Sequence, residues 1–382
     1  PPWRRNDVKV LITGAHGFVG RNLSVRIGER SGWEVLAIVR NNSAEDLVAA
    51  CEQPDAVIHL AGANRPADPA EFMTGNRDTT QRLCDALADR AARTGQRPPV
   101  LYASSTQAAL DNPYGASKRA AEESLHALAA RHGHRVHVFR LPNVFGKWCR
   151  PFYNSAVATF CHQIARDLPI EIRDPAAPLN LVHVDDVIDR FLALLDGASA
   201  QPDAQGFETV GPIYSTIVGH VADTIRSFRE SRVTGIIGTV GHGLGRALYA
   251  TYVSYLPREA FDYPLVRHED PRGVFVEMLK TQGSGQFSYF TAHPGVTRGG
   301  HYHHAKTEKF LVIQGQACFR FRHMLTGDTH EIYTDAASPR VVETIPGWTH
   351  DITNTGEQLM VVMLWANEIF DRQRPDTIAA PL

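Results

Sequence analysis

The chain has 382 residues, too many for one ordinary domain and a fitting number for two. Lys plus Arg number 39 against 41 Asp plus Glu, so no basic excess exists to hold a nucleic-acid backbone. No apolar run approaches the ~20 residues that span a bilayer, which excludes a membrane-inserted helix. The opening stretch PPWRRNDVKV lacks the apolar core of a signal peptide. The five cysteines (Cys51, Cys84, Cys149, Cys161, Cys318) form no CxxC pair, which predicts free thiols in a reducing compartment and a cytoplasmic protein.

Along the first 200 residues, short apolar runs alternate with helical patterns. KVLITGA (9–15), EVLAIVR (34–40), AVIHLAG (56–62), PVLYASS (99–105) and RVHVFRLP (135–142) read as strands buried on both faces. Helices are predicted over 43–53, 79–94 and 117–133. The alternation predicts a doubly wound α/β domain over residues 1–245. Residues 246–264 carry the Tyr-rich YATYVSYLP, too aromatic for a flexible linker and expected to form an ordered bridge. From 265 to 382 the texture becomes all-β, with FLVIQGQACFRFRHML (310–325), RVVETIP (340–346) and LMVVMLWA (359–366) separated by turn residues.

Two constellations carry chemistry. In the first, TGAHGFVG (13–20) follows a strand and opens a helix. Gly14, Gly17 and Gly20 let backbone approach a pyrophosphate, and the helix start offers oriented N–H groups with His16 and Phe18 on the same loop. Farther on, Tyr114 and Lys118 are spaced i, i+4, which puts both on one helix face. There an ammonium lowers a phenol's pKa toward the working range. Ser104, Ser105 and Thr106 close the preceding strand, where a hydroxyl can hold a carbonyl oxygen.

These residues in this order resemble the extended short-chain dehydrogenase/reductases. HLAGAN (59–64, with Ala61), Asn76, RLPNVFG (140–146) and HVDDV (183–187) fall at that family's cofactor and nucleotide-sugar contacts. The resemblance implies a Rossmann fold, a nicotinamide cofactor and Ser/Thr–Tyr–Lys catalysis. Either Ser105 or Thr106 completes the set with Tyr114 and Lys118, which also holds ribose. Sugar-dehydrating relatives carry an acid just after the strand-end hydroxyl. Gln107 and Ala108 stand here, which disfavours dehydration. Arg40 and Asn41 end the second strand where an acidic residue would hold a ribose 2′-hydroxyl, so NADP is favoured over NAD. Only one helix fits between Arg40 and the strand ending at His59, so the family's extra strand is expected to be missing. Asn143, Lys147, Arg150 and His183 are candidate contacts for the UDP end of a substrate.

In the second constellation, G-x5-HxH-x4-E-x6-G runs from Gly295 to Gly315, followed by His350 and Asn354. Strand alternation puts His301 and His303 on one face. With Glu308 and His350 they form a donor set suited to Zn(II) or another divalent metal. This pattern resembles a cupin, implying a jelly-roll. DPRG (270–273), V-x-R-G-x-H (296–301) and PGWTH (346–350) are also similar to cupin-fold 3,5-epimerases of keto-deoxy sugar nucleotides, which use the histidine as base and no metal. His301 is then the candidate base and Arg298 the candidate enolate stabiliser.

Reductase, Tyr-rich segment and cupin in one chain resemble the bifunctional capsular polysaccharide enzymes of the CapF type. That likeness implies C3 epimerisation of UDP-2-acetamido-2,6-dideoxy-hexos-4-ulose, then NADPH-dependent reduction of its C4 ketone, toward UDP-N-acetyl-L-fucosamine. It also implies a homodimer. Two other readings stand beside it. One is a 4-ketoreductase or 4-epimerase with a structural metal-binding cupin; the other is a cofactor-sensing binding protein.

Overall fold

The computed structural model describes residues 7–382 except 267, 271–272, 276–277, 282–284, 369 and 372. Two compact units emerge, Pro1–Ser155 with Leu179–Ser215, and Ala156–Pro178 with Thr216–Leu382.

The first unit is a Rossmann-like parallel sheet, as its alternating pattern predicts. β1 (Val8–Thr13), α1 (Phe18–Gly28), β2 (Trp33–Ile38), α2 (Ala44–Ala50), β3 (Ala56–His59), α3 (Thr79–Thr94), β4 (Val100–Ser105), α4 (Pro113–His132) and β5 (Val136–Leu141) follow one another. The strands pair in the order β2-β1-β3-β4-β5, every neighbour parallel. Between β2 and β3 lies only α2, so the sheet ends at β2 and the expected missing strand is indeed absent among the described residues.

Local chemistry sets the helix bounds. Asn112 accepts the Gly115 N–H at 2.8 Å and Pro113 occupies the first position, so α4 starts four residues before the expected 117. Gly133, with φ 72°, ends it. Leu11, Val57, Leu83, Leu87 and Leu125 form the core on one sheet face, and Ile12, Leu23, Ile58, Phe139 and Phe191 that on the other. Asn143–Phe145, Pro178–His183 and Ile213–Ile217 make a smaller three-stranded sheet.

The second unit is built around two five-stranded sheets whose strands pair antiparallel. One contains Glu308–Gln314 and Met360–Ala366; the other contains Thr297–Tyr302, Gln316–His323 and Trp348–Asn354. The run 310–325, continuous in sequence, is divided by Gly315 at φ 86°, where the chain passes from one sheet to the other. Phe310, Phe319, Phe321, Ile352, Val362 and Trp365 fill the interior. Helices Ala156–Ile164, Val218–Thr234 and Gly243–Val253 belong to the same unit. Tyr249 and Tyr252 of the aromatic stretch are buried there, Tyr249 edge-on to Phe228 at 5.0 Å. Among the described residues no helix is long and apolar enough to cross a membrane.

Candidate functional site

The glycine loop forms a close-packed cradle at the carboxyl end of β1. Gly14 turns at φ 72°, its N–H on the Ile38 carbonyl at 2.8 Å. A Cβ on Gly20 would stand 2.3 Å from the Gly14 oxygen, so only glycine lets α1 begin this near the loop. His16 and Gly17 are exposed and Phe18 is half-buried, leaving the amino end of α1 open to an anion. A bound dinucleotide fits this donor set. Arg40 and Asn41 are exposed just past β2.

A buried relay fixes the loop facing that cradle. The Thr80 hydroxyl donates to the Asn76 carbonyl at 2.7 Å, so it accepts from His59 Nε2 at 2.8 Å. His59 Nδ1 then accepts from Thr13 Oγ1 at 2.6 Å, whose oxygen receives the Leu60 and Ala61 N–H groups at 3.2 Å. Full burial, with Lys118 nearby, pushes the His59 pKa down to about 3 and keeps the ring neutral. Asn76 is also buried, bonded to Ala63 on both sides and to Ser117 Oγ at 2.9 Å. His59 and Asn76 therefore shape the wall, a role that their place in the motif did not reveal.

Of the three strand-end hydroxyls, Ser104 is consumed inside. It donates to Glu122 at 2.5 Å, and Glu122 is held by Arg140 at 2.7 and 3.1 Å. Thr106 is exposed, whereas Ser105 is half-buried and its hydroxyl acts to lower the pKa of the Tyr114 phenol. Lys118 is buried, its Nζ donating to the Ala103 carbonyl at 2.9 Å and lying 4.5 Å over the Tyr102 ring. Desolvation lowers its pKa to about 8, with Glu122 opposing. Tyr114 moves against the expected direction. Burial raises the phenol above its ordinary value, and Ser105 counteracts in part. An i, i+4 spacing brings the two to one face, but the Ala103 carbonyl claims the ammonium.

The four candidate UDP contacts divide. Asn143 and Arg150 are exposed, Arg150 lying 5.4 Å from the Tyr153 ring centroid. Lys147 and His183 are buried instead. Lys147 pairs with Asp185 at 2.9 Å, and His183 Nδ1 lies 3.8 Å from the same carboxylate.

In the second unit, the donor atoms of His301, His303, Glu308 and His350 all lie within 4.8 Å of one another. Their convergence differs in detail from plain strand alternation. Gly299 and Gly300, at φ 102° and 74°, form a bulge that re-aims His301 opposite His350, and His303 sits just beyond the strand end. Gly347, at φ 82°, makes the Pro346-Gly347 turn leading to His350 and gives its N–H to the His303 carbonyl at 3.1 Å. His303 Nε2 is 3.1 Å from Glu308 Oε2. His350 is buried, its Nε2 3.7 Å from that oxygen, and neither ring nitrogen has a hydrogen-bond partner among the described residues. Three imidazoles and a carboxylate, with orphaned nitrogens, fit a divalent cation.

Burial, helped by the neighbouring imidazoles, pushes His301 down to about 4. Burial would raise Glu308, but His303, His350 and Lys306 prevail and hold it well below the usual carboxylate range. A cavity of about 190 Å³ opens over the cluster, floored by Phe290, Phe310, Phe319 and Leu364, with Arg298 exposed at its edge. Residues 271 and 272 of the DPRG motif lie outside the described residues.

Comparison with known proteins agrees with both halves. Residues 10–208 match the NAD dependent epimerase/dehydratase family, and residues 268–378 the polysaccharide biosynthesis C-terminal domain. The chain is 38% identical to the crystal structure of the capsular polysaccharide assembling protein CapF from Staphylococcus aureus. That match has a TM-score of 0.67 and covers 98% of this chain and 100% of that one. The chain belongs to the CapF-type family. A second CapF structure, with the inhibitor 3-isopropenyl-tropolone, matches at 34% identity and TM-score 0.63, covering 98% of this chain and 100% of that one. The CapF-type chain is also 55% identical to the UDP-2-acetamido-2,6-beta-L-arabino-hexul-4-ose reductase of Pseudomonas aeruginosa, over 97% of this chain and 98% of that one.

Proposed function

We propose that this chain reduces the C4 ketone of a UDP-linked 2-acetamido-2,6-dideoxy sugar with NADPH, after inverting C3 of the same substrate in the second unit. The observation that carries the reductase is the Ser105 hydroxyl acting on the half-buried Tyr114 phenol, with Lys118 one turn farther along the same helix. The 55% identity to a reductase of a UDP-4-keto sugar supports the same reading. We assign reduction to residues 1–245 and epimerisation to 265–382, joined by 246–264. The setting is cytoplasmic capsule or O-antigen synthesis by a homodimer.

NADPH, when bound, supplies the hydride. Ser105 and Tyr114 would orient the C4 oxygen between them, and Tyr114 gives it a proton as negative charge develops. Lys118 keeps its place through Ala103 and presents positive charge to the ribose side. Arg40 faces the 2′-phosphate, with Gly14, His16, Gly17, Phe18 and Asn41 around the dinucleotide. Asn143 and Arg150 are left exposed to meet the UDP end, while Lys147 and His183 support that wall.

In the second unit, the C4 ketone makes the C3 proton acidic, so inversion needs a base and a stabiliser for the enolate. Without a metal, His301 is neutral at pH 7 and accepts that proton, and Arg298 stabilises the oxygen. A divalent ion would be held by His301, His303, Glu308 and His350, most suitably zinc, and would supply Lewis-acid charge at that oxygen. One observation favours a second reading, a structural metal site. The cavity of about 190 Å³ is smaller than the ~300 Å³ of ordinary ligand pockets.

The test is the ketosugar with purified protein and either NADPH or NADH. NADPH consumption matched by a new C4 carbinol proton supports the reductase, and its absence rejects it. His301→Ala retaining full C3 inversion would reject the role given to the second unit.

A further inference from the structure

We propose that Asp376 is a positioning residue for the histidine cluster, anchoring a strap, residues 376–381, that fastens its ligands. The inference rests on the reading that the cluster binds a divalent cation. Between His303 and Glu308 the chain follows no sheet pairing, so something else must hold His303 in place. Asp376 does so. One carboxylate oxygen accepts the His304 N–H at 2.8 Å, and the other accepts those of Ala305 and Lys306, both at 2.7 Å. Three consecutive amides thus converge on one anion.

The Asp376 main-chain carbonyl accepts from His303 Nδ1, which leaves Nε2 as the nitrogen facing Glu308 at 3.1 Å. A partner on the far ring nitrogen fixes the tautomer and orientation of a metal ligand. The same segment reaches the other histidines. Ile378 and Ala379 pair with Tyr302 and His301, and the Ala380 N–H donates to the Gly300 carbonyl at 2.8 Å. Thr349, next to His350, donates its hydroxyl to the Ala380 carbonyl. Six residues remote in sequence therefore hold His301, His303 and the neighbour of His350 together before any ion arrives.

Asp376→Asn tests this in the full chain. It keeps the shape of the side chain but replaces one acceptor oxygen by an amino group that cannot receive the amides. Zinc affinity would be measured by chelator competition, and ligand geometry by the absorption bands of the Co(II)-loaded protein. Arg374→Ala, exposed and two residues away, serves as the control. Expected is a 10- to 100-fold weaker zinc affinity with altered cobalt bands, a metal-free Tm lowered by the lost amide contacts, and a control like the parent. Unchanged affinity and cobalt bands would overturn the inference, whether or not metal-free stability fell.

Should the variant fail to fold, amide exchange of the metal-free parent decides. His304, Ala305 and Lys306 amides protected before metal addition support the strap; free exchange there refutes it. A parent that binds no divalent ion at all would remove the metal reading itself, a separate failure.

Discussion

Replacing Tyr114 by Phe removes one oxygen and, on this account, most of the reductase. Burial raises the phenol above its ordinary value, about 10, so at pH 7 fewer than about one molecule in a thousand is ionised. It therefore enters catalysis as a protonated donor. Proton donation by a positioned side chain contributes about 10²- to 10⁴-fold, the expected fall in kcat. The ring stays packed against Phe72, 5.6 Å between centroids, so stability should change by no more than about 1 kcal/mol. The assay is NADPH oxidation across pH 6 to 10, with NADPH affinity measured separately and C3 inversion followed in parallel. The variant should bind NADPH normally and invert C3 normally. The parent should hold a plateau to about pH 7 and then decline as Lys118, at about 8, loses its charge. A kcat within tenfold of the parent would refute the donor assignment.

Lys118→Met should abolish reduction yet stabilise the cofactor-free protein. The folded-state pKa lies below the unfolded one, so burial of the charge costs stability in full below about pH 8 and relents as pH rises toward 10.5. That depression corresponds to about 3 kcal/mol, of which the orphaned Ala103 carbonyl takes back about 1. A lower Tm at pH 7 would contradict it; a gain that shrinks toward pH 10 would support it. Arg40→Ala should raise the KM for NADPH about tenfold, one lost charge-assisted contact, and leave the KM for NADH unchanged. Equal effects on both would remove the 2′-phosphate role. Stripping divalent metal should lower Tm, since an ion at a thousand times its Kd adds about 4 kcal/mol. An unchanged Tm on chelation would count against occupancy of the histidine cluster.

Much of this architecture is written in local pattern. Buried parallel strands leave continuous apolar runs, so β1, β2, β4 and β5 were readable to within two residues and β3 to within three, as was the absence of a strand between β2 and β3. The four histidine-cluster residues were readable because their spacing is short except for His350. What escaped depends on contacts far apart in sequence. Nothing near Asp376 signals that its carboxylate will meet amides 70 to 72 positions earlier. Lys147 and His183 look like surface contacts until Asp185 draws them inward. Spacing shows that Lys118 and Tyr114 share a helix face, but not that the Ala103 carbonyl also holds the ammonium. Gly315 could be seen as a turn, yet its transfer of the chain between two sheets needs the pairing itself.

The most direct measurement follows C3–H of the UDP-4-keto-6-deoxy-N-acetylhexosamine by NMR in deuterated water, before and after NADPH is added. The account predicts exchange at C3 without NADPH, then reduction at C4 only once NADPH is present. NADPH consumption with no C3 exchange would contradict it and leave a simple 4-ketoreductase.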